Sequence, residues 1–154
     1  MGYVRDIRQK IGRDPLLVVG ASVILTDSRG RLLLQRRADN GCWGYHGGCV
    51  ELGECVEDTA RRELLEETGL AAGRMTLLGV FSGPEMAYTY PNGDMVSIVD
   101  VVFLCREYSG TLHRQESEVA ELRFFAPDDV PENISPPNIP ALRAYLAGKG
   151  ESTN

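Results

Sequence analysis

The stretch Gly48–Leu70 reads GCVELGECVEDTARRELLEETGL, a glycine-bearing loop running into one acidic helix, and its spacing decides how the rest of the chain is read. A helix turns about 100° per residue, so Glu63, Glu66 and Glu67 fall within roughly a third of its circumference. Like charges so spaced repel. Gly69 is a natural residue to end the helix, which leaves Glu66 and Glu67 in the last turn, where the helix dipole favours cations and disfavours carboxylates. Helix physics alone therefore gives little reason for Glu54, Glu63, Glu66 and Glu67 to stand where they do. A divalent cation reverses that sign. Hard ions such as Mg²⁺ take oxygen ligands from one or two carboxylates and complete their shell with water and substrate phosphate.

The pattern is a glycine, five residues, a glutamate, seven residues, then Arg-Glu-aliphatic-any-Glu-Glu-any-Gly-aliphatic, matched without a gap by Gly48, Glu54, Arg62, Glu63, Leu64, Glu66, Glu67, Gly69 and Leu70. Ordinary residue usage gives a chance match on the order of 10⁻⁹ per starting position. The stretch resembles the Nudix box, and the resemblance continues more weakly from an apolar strand near residue 17 to the stretch 118–131. It implies an α/β fold, an α/β/α sandwich with a mixed β-sheet, in which the box lines one end of the sheet. It also implies metal-dependent hydrolysis of a pyrophosphate bond, with Mg²⁺, or Mn²⁺ in its place.

Such hydrolysis requires the non-bridging oxygens to be neutralised, one water to be aligned with the leaving phosphate, and its proton to be removed. Clustered glutamates can do all three. By resemblance, Glu66 and Glu67 carry the metal with the backbone carbonyl of Gly47. Glu63 is the matching candidate for a metal ligand and for the general base, or for positioning the water through the metal, with Arg62 orienting it, and Glu54 matches the position that supports the metal shell. A further acid from the segment opposite the box best matches Glu118, with Glu116 second. Which of Glu63 and the loop glutamate takes the proton stays open. Arg61 is expected to form an ordinary ion pair with the box acids.

One position departs from the family. Trp43-Gly44-Tyr45-His46-Gly47-Gly48 resembles the Trp-any-any-Pro-Gly-Gly entry to the box with His46 in place of proline. Proline would fix φ near −65° ahead of Gly47. His46 can contact phosphate or metal, or simply pack in a loop, in which case proline should be tolerated. Trp43 belongs to the core or stacks on a base. Arg36, Arg37 and Tyr90, with Glu85, Tyr88 and Asp94, are candidates for a substrate pocket, aromatics stacking and arginines meeting phosphate. Pro84 lies near the spacing associated with ADP-ribose hydrolases, and Tyr88 near that of dinucleoside polyphosphate hydrolases. The first expectation is a nucleoside diphosphate linked to another moiety, of the ADP-ribose or nucleotide-sugar type. The alternative is a nucleoside triphosphate, oxidised ones included. A non-catalytic nucleotide-binding module is the competing class, and it would be expected to have lost box acids.

At 154 residues with a net charge of −6, the chain is long enough for one domain with a real core. Its basic residues are almost all arginine, Lys10 and Lys149 being the lysines, and none form a run. A nucleic-acid-coating role is therefore disfavoured, an RNA 5′ end remaining open, and a polyphosphate substrate would need metal against the negative field. Cys42, Cys49, Cys55 and Cys105 show no zinc spacing and are read as free thiols, which with no secretory or membrane-length apolar run points to the cytoplasm.

Along the chain, Tyr3, Ile7 and Ile11 predict a short amphipathic helix ending at Gly12, a packing or homodimer element. Residues 16–26 and 31–37 read as strands of one hairpin, and the box helix is expected from Val56 to Gly69 on a stripe of Val56, Ala60 and Leu64. Strands follow over 75–81, 96–105 and 121–125, with Asn92-Gly93 suggesting a type I′ turn. A closing helix around 141–146 is expected to stop at Gly148. The domain is thus taken as 1–148, with 149–154 a disordered tail.

Overall fold

The computed structural model describes residues 2–151, the side chains of 149–151 excepted. Helix α1 (Tyr3–Ile11) leads into strand β1 (Leu16–Leu25), followed by β2 (Leu32–Arg37), β3 (Trp43–Gly44) and β4 (His46–Cys49). The box helix α2 (Val56–Thr68) comes next, then β5 (Leu70–Ala72), β6 (Met75–Phe81), β7 (Ala87–Thr89), β8 (Met95–Cys105), β9 (Tyr108–Gly110) and β10 (Val119–Phe125). Helix α3 (Ile139–Glu151) closes the chain.

The main sheet is mixed. β1 pairs in parallel with β8 from Leu16↔Val96 to Leu25↔Cys105, while β4 flanks β1, and β6 and β7 flank β8, all antiparallel. A second sheet has the order β10-β2-β3, and β5 and β9 form a small ribbon. Alternation along β1 and β2 builds a core on each side. Ala21, Val23, Leu25 and Leu33 pack with Ala60 and Leu64 of α2, whereas Ile24, Leu32, Leu34 and Trp43 pack with Leu142 and Tyr145 of α3. The sheets therefore lie between two helical layers, the expected sandwich. Trp43 is a core residue, edge-on to Phe125 at 5.0 Å between ring centroids.

Box helix α2 forms as its pattern requires. Ala60 and Leu64 are fully buried against the sheets, and Gly69 ends the helix at φ 77°, donating its N–H to the Leu65 carbonyl. No side chain with a Cβ takes that conformation cheaply.

Three expectations about connections are corrected. Residues 16–26 and 31–37 do not form a hairpin within one sheet. β1 and β2 meet only at the Thr26↔Leu32 bridge and then diverge into separate sheets, because both strands carry apolar residues on two faces and each needs its own neighbours. The Tyr90–Asp94 turn is not type I′: Gly93 alone takes positive φ, at 93°, and its N–H bonds the Tyr90 carbonyl. Pro91 explains this, since its ring excludes the positive φ that type I′ demands at that position. The closing helix runs through Gly148 to Glu151 and so takes in the first three residues of the tail expected over 149–154; residues 152–154 lie outside the described residues. No helix among the described residues is long and apolar enough to cross a membrane.

Candidate active site

Strand β4 runs beneath α2, and the glycines of the loop let the two approach. A Cβ on Gly48 would lie 1.8 Å from Glu63 Oε1, so the glycine is a steric requirement of that carboxylate's position. One turn later Glu67 reaches the same strand, where the Gly47 N–H donates to its Oε1 at 3.3 Å. Glu67 is buried, Glu63 largely so, and Glu66 half-exposed on the outer side. The three helix acids thus fan from interior to solvent around the line of β4.

Arg62 ties the cluster to its approach loop. Its Nε and Nη2 donate to the two oxygens of Glu54 at 2.9 and 3.0 Å, and Nη1 lies 3.6 Å from Glu63 and 3.7 Å from Glu66. Glu54 also accepts from the Thr59 hydroxyl at 2.6 Å. These donors, Arg62 first, hold the Glu54 carboxyl down to about 2. Glu54 is therefore engaged in gripping Arg62, beside the place a metal shell would occupy. Arg61 does not pair with box acids: its guanidinium donates to the Ala72 carbonyl at 2.6 Å.

The inner acids are short of positive charge. Burial first and the charge of Glu67 second push Glu63 up to about 8, and burial raises Glu67 as well, against the contacts from His46 and Gly47. Among the described residues no three His, Cys, Asp or Glu side chains are closed around one point. The donor set nevertheless suits a hard divalent cation, being all carboxylate oxygen and under-compensated as it stands. Glu63, Glu66 and Glu67 would hold it, with the Gly47 peptide alongside. Glu118 enters from the β10 side, lining a cleft shared with Glu67, Gln35, Arg37, Asp39 and Ser117. Glu118 thus shares a cleft with a box acid, and Glu116 lies 4.0 Å from Arg114.

His46 does not meet solvent. It is fully buried on β4, its Nε2 3.1 Å from the Leu33 carbonyl and its Nδ1 3.5 Å from Glu67 Oε1. A phosphate contact is ruled out by that burial, and the loop packing role becomes a core position behind a site acid.

A second cavity adjoins the acids, between β1 and β8 on one wall and the β2–β4 segment on the other. Tyr88, Tyr90, Arg37, Gln35, Asp100 and Asn138 are among its lining residues, together with Gly47 and Gly48. Tyr88 and Tyr90 meet edge to face at 5.0 Å. Arg37 and Tyr90 are among the lining residues, although Arg37 is also paired with Asp39 at 2.7 Å. Arg36 is not: strand alternation turns it to the opposite face, 3.5 Å from Glu121. Glu85 pairs with Arg143 at 3.0 Å and Asp94 with Arg8 at 3.8 Å, both away from the cavity.

Asp100 was missed from sequence. It is buried and accepts from the Ser22 hydroxyl and the Tyr45 hydroxyl, each at 2.8 Å, while burial raises its carboxyl. A lone acid in the apolar run 96–105 is the signal that could have found it. Asn138, which lines the same cavity as Tyr45, carried no such signal.

Comparison with known proteins agrees with this geometry. A NUDIX domain model matches residues 16–145. A MutT-like protein of Streptomyces ambofaciens is 34% identical over 142 residues, spanning 92% of this chain and 85% of that one. An ADP-ribose pyrophosphatase of Methanocaldococcus jannaschii is 35% identical over 111 residues, 70% of this chain and 62% of its own length. The crystal structure of a MutT NUDIX hydrolase from Burkholderia pseudomallei superposes with a TM-score of 0.71 at 32% identity, covering 83% of this chain and 97% of that one. With the box complete, Glu63 and Glu67 of its helix packed against β4 and the domain matched over most of its length, the chain belongs to the Nudix hydrolase family.

Proposed function

We propose that the protein hydrolyses a pyrophosphate bond in a nucleoside diphosphate linked to another moiety, of the ADP-ribose or nucleotide-sugar type, using Mg²⁺ or Mn²⁺. The observation that carries this reading is the placement of two pockets that meet at Gln35 and Arg37 beside the acid cluster. On one side lies the cavity of Tyr90, Asp100 and Asn138, with rings and polar edges suited to a base. On the other lies the polar cleft of Asp39, Ser117 and Glu118, suited to a hydroxylated second group. Arg37 borders both, where phosphate would pass between them.

When bound, the cation supplies charge neutralisation on the phosphate oxygens. The chain's own groups do the rest. Arg62 fixes the Glu54–Glu63–Glu66 edge of the cluster, so the catalytic carboxylate is held before substrate arrives. Glu63, whose carboxyl is pushed up to about 8 in the metal-free protein, is strongly basic and, once ionised, is able to accept the proton of a water attacking phosphorus. Glu118, across the cleft from Glu67, is the second candidate for that proton. As the water oxygen bonds to phosphorus, the bond from phosphorus to the bridging oxygen breaks, and the bridging oxygen leaves on the other phosphate.

The test is a Mg²⁺-dependent hydrolysis screen over nucleotide sugars, ADP-ribose, dinucleoside polyphosphates, triphosphates including oxidised ones, and 5′-capped RNA, run in ¹⁸O water. A nucleoside monophosphate product with label on a phosphate is expected. Label on a sugar carbon alone would overturn the reaction assignment, and turnover confined to triphosphates would overturn the substrate class.

A further inference from the structure

Gln35 sits at the seam of the two pockets and is left with an unanswered acceptor. Along β2, the residues Leu33, Gln35 and Arg37 share one face by strand alternation, so the face passes from core to cleft. Leu33 packs beneath α2. Arg37 and Gln35 both border the aromatic cavity and the acidic cleft. Gln35 is 6% exposed. Its Nε2 donates to the Tyr45 carbonyl at 3.4 Å, and since that carbonyl can only accept, the orientation of the amide is set. Its Oε1 is buried with no hydrogen-bond partner among the described residues.

A buried acceptor without a donor is costly, so its persistence at a cavity wall indicates a ligand that brings one. On the reading that base and phosphates occupy the cavity and the acid cluster respectively, the group at the seam is the sugar between them. A sugar hydroxyl is a donor, and a phosphate or an ether oxygen is not. We infer that Gln35 Oε1 accepts a hydrogen bond from a hydroxyl of the nucleoside ribose, making Gln35 the residue that distinguishes ribo- from deoxyribonucleotides. Arg37, on the same face one pleat further out, takes the adjoining phosphate charge.

This inference rests on the nucleotide reading above, and the experiment separates the two. Binding of the four common ribonucleoside 5′-monophosphates, of their 2′-deoxy and 3′-deoxy counterparts and of inosine 5′-monophosphate would be measured by calorimetry in Mg²⁺. For whichever base binds, the ribonucleotide is expected to bind about tenfold more tightly than one of its two deoxy forms, the scale of one lost hydrogen bond to a buried acceptor. In Gln35→Met, which keeps the side-chain length and removes the amide, that ratio should fall to about one through weaker ribonucleotide binding. The ratio does not depend on how much protein is folded, and Gln35→Glu, which retains an acceptor oxygen, should keep the preference. Equal binding of ribo and deoxy forms by the unaltered protein overturns the Gln35 assignment and leaves the nucleotide reading standing. A preference that follows the base amine, adenine over hypoxanthine, with no effect of the sugar, also overturns it. No binding of any nucleotide overturns the underlying reading, and this assignment with it.

Discussion

Glu63 and Glu67 divide one charge problem between them, and single substitutions separate their parts. Glu63→Gln keeps shape and hydrogen bonding but removes the charge that burial and Glu67 penalise. Turnover with Mg²⁺ should fall by roughly 10²-fold or more, the scale of a lost metal or acid–base group, while the metal-free protein should melt no lower than the parent at pH 8. Glu67→Gln should lose activity comparably; near-parental turnover in both variants would remove them from the chemistry. His46 behaves differently. Replacing it by alanine or proline empties a buried site and strips the Leu33 carbonyl of its partner, so a loss of roughly 2–4 kcal/mol is expected. That appears as a lower melting temperature by about 2–4 °C per kcal/mol. Tolerance of proline, the sequence-based expectation for a loop residue, would show that the ring does not sit where the structure has it. The acids and Arg62 were legible because their spacing on one helix is local information. Gln35, Asp100 and Asn138 were not, because their meeting depends on β1, β2 and β8 being brought together across more than sixty residues of chain.

Strand β4 and helix α2 form the unit in which local pattern becomes site geometry. Gly48→Ala tests it. The added methyl group would collide with the end of the Glu63 side chain, which can swing aside, whereas no backbone atom is among its nearest contacts. Stability should therefore change by less than about 1 kcal/mol while kcat falls at least tenfold, since a displacement of about 1 Å at a catalytic group is costly. Equal loss of stability and activity would make Gly48 a folding residue only. Gly69→Ala should show the reverse balance: positive φ and a methyl group 2.5 Å from the Thr111 carbonyl predict a loss of more than about 1 kcal/mol. The existence and type of α1, α2, β1 and β6 followed from periodicity and capping, which act within a few residues. The connections did not. Whether residues 16–37 close as a hairpin or split between sheets depends on which partners cover both faces of each strand, and those partners, β8 and β10, lie more than seventy residues on.

Charge links the site to the stability of the whole molecule. In a chelator, Glu63 titrates from 4.5 unfolded to about 8 folded, and Glu67 and Asp100 are raised in the same direction, chiefly by burial. Between those limits the folded chain holds protons that the unfolded chain has released, so stability falls as pH rises through this window. Glu54 acts in the opposite sense: with its folded carboxyl at about 2, its contribution is present above 4.5 and is lost as pH falls towards 2. The metal-free protein should accordingly be most stable near pH 5 and melt progressively lower towards pH 8. Mg²⁺ should reverse the alkaline limb, because a cation that binds only the folded state, and binds ionised carboxylates, adds about 2.7 kcal/mol at a hundredfold excess over its dissociation constant. At pH 5, where Glu63 holds its proton, the same Mg²⁺ should add much less. Calorimetric melts at pH 5 and 8, with chelator and with Mg²⁺, measure all four corners. A melting temperature that rises from pH 5 to 8 in chelator would contradict the buried, under-compensated acids, and an equal Mg²⁺ increment at both pH values would mean that the cation binds elsewhere.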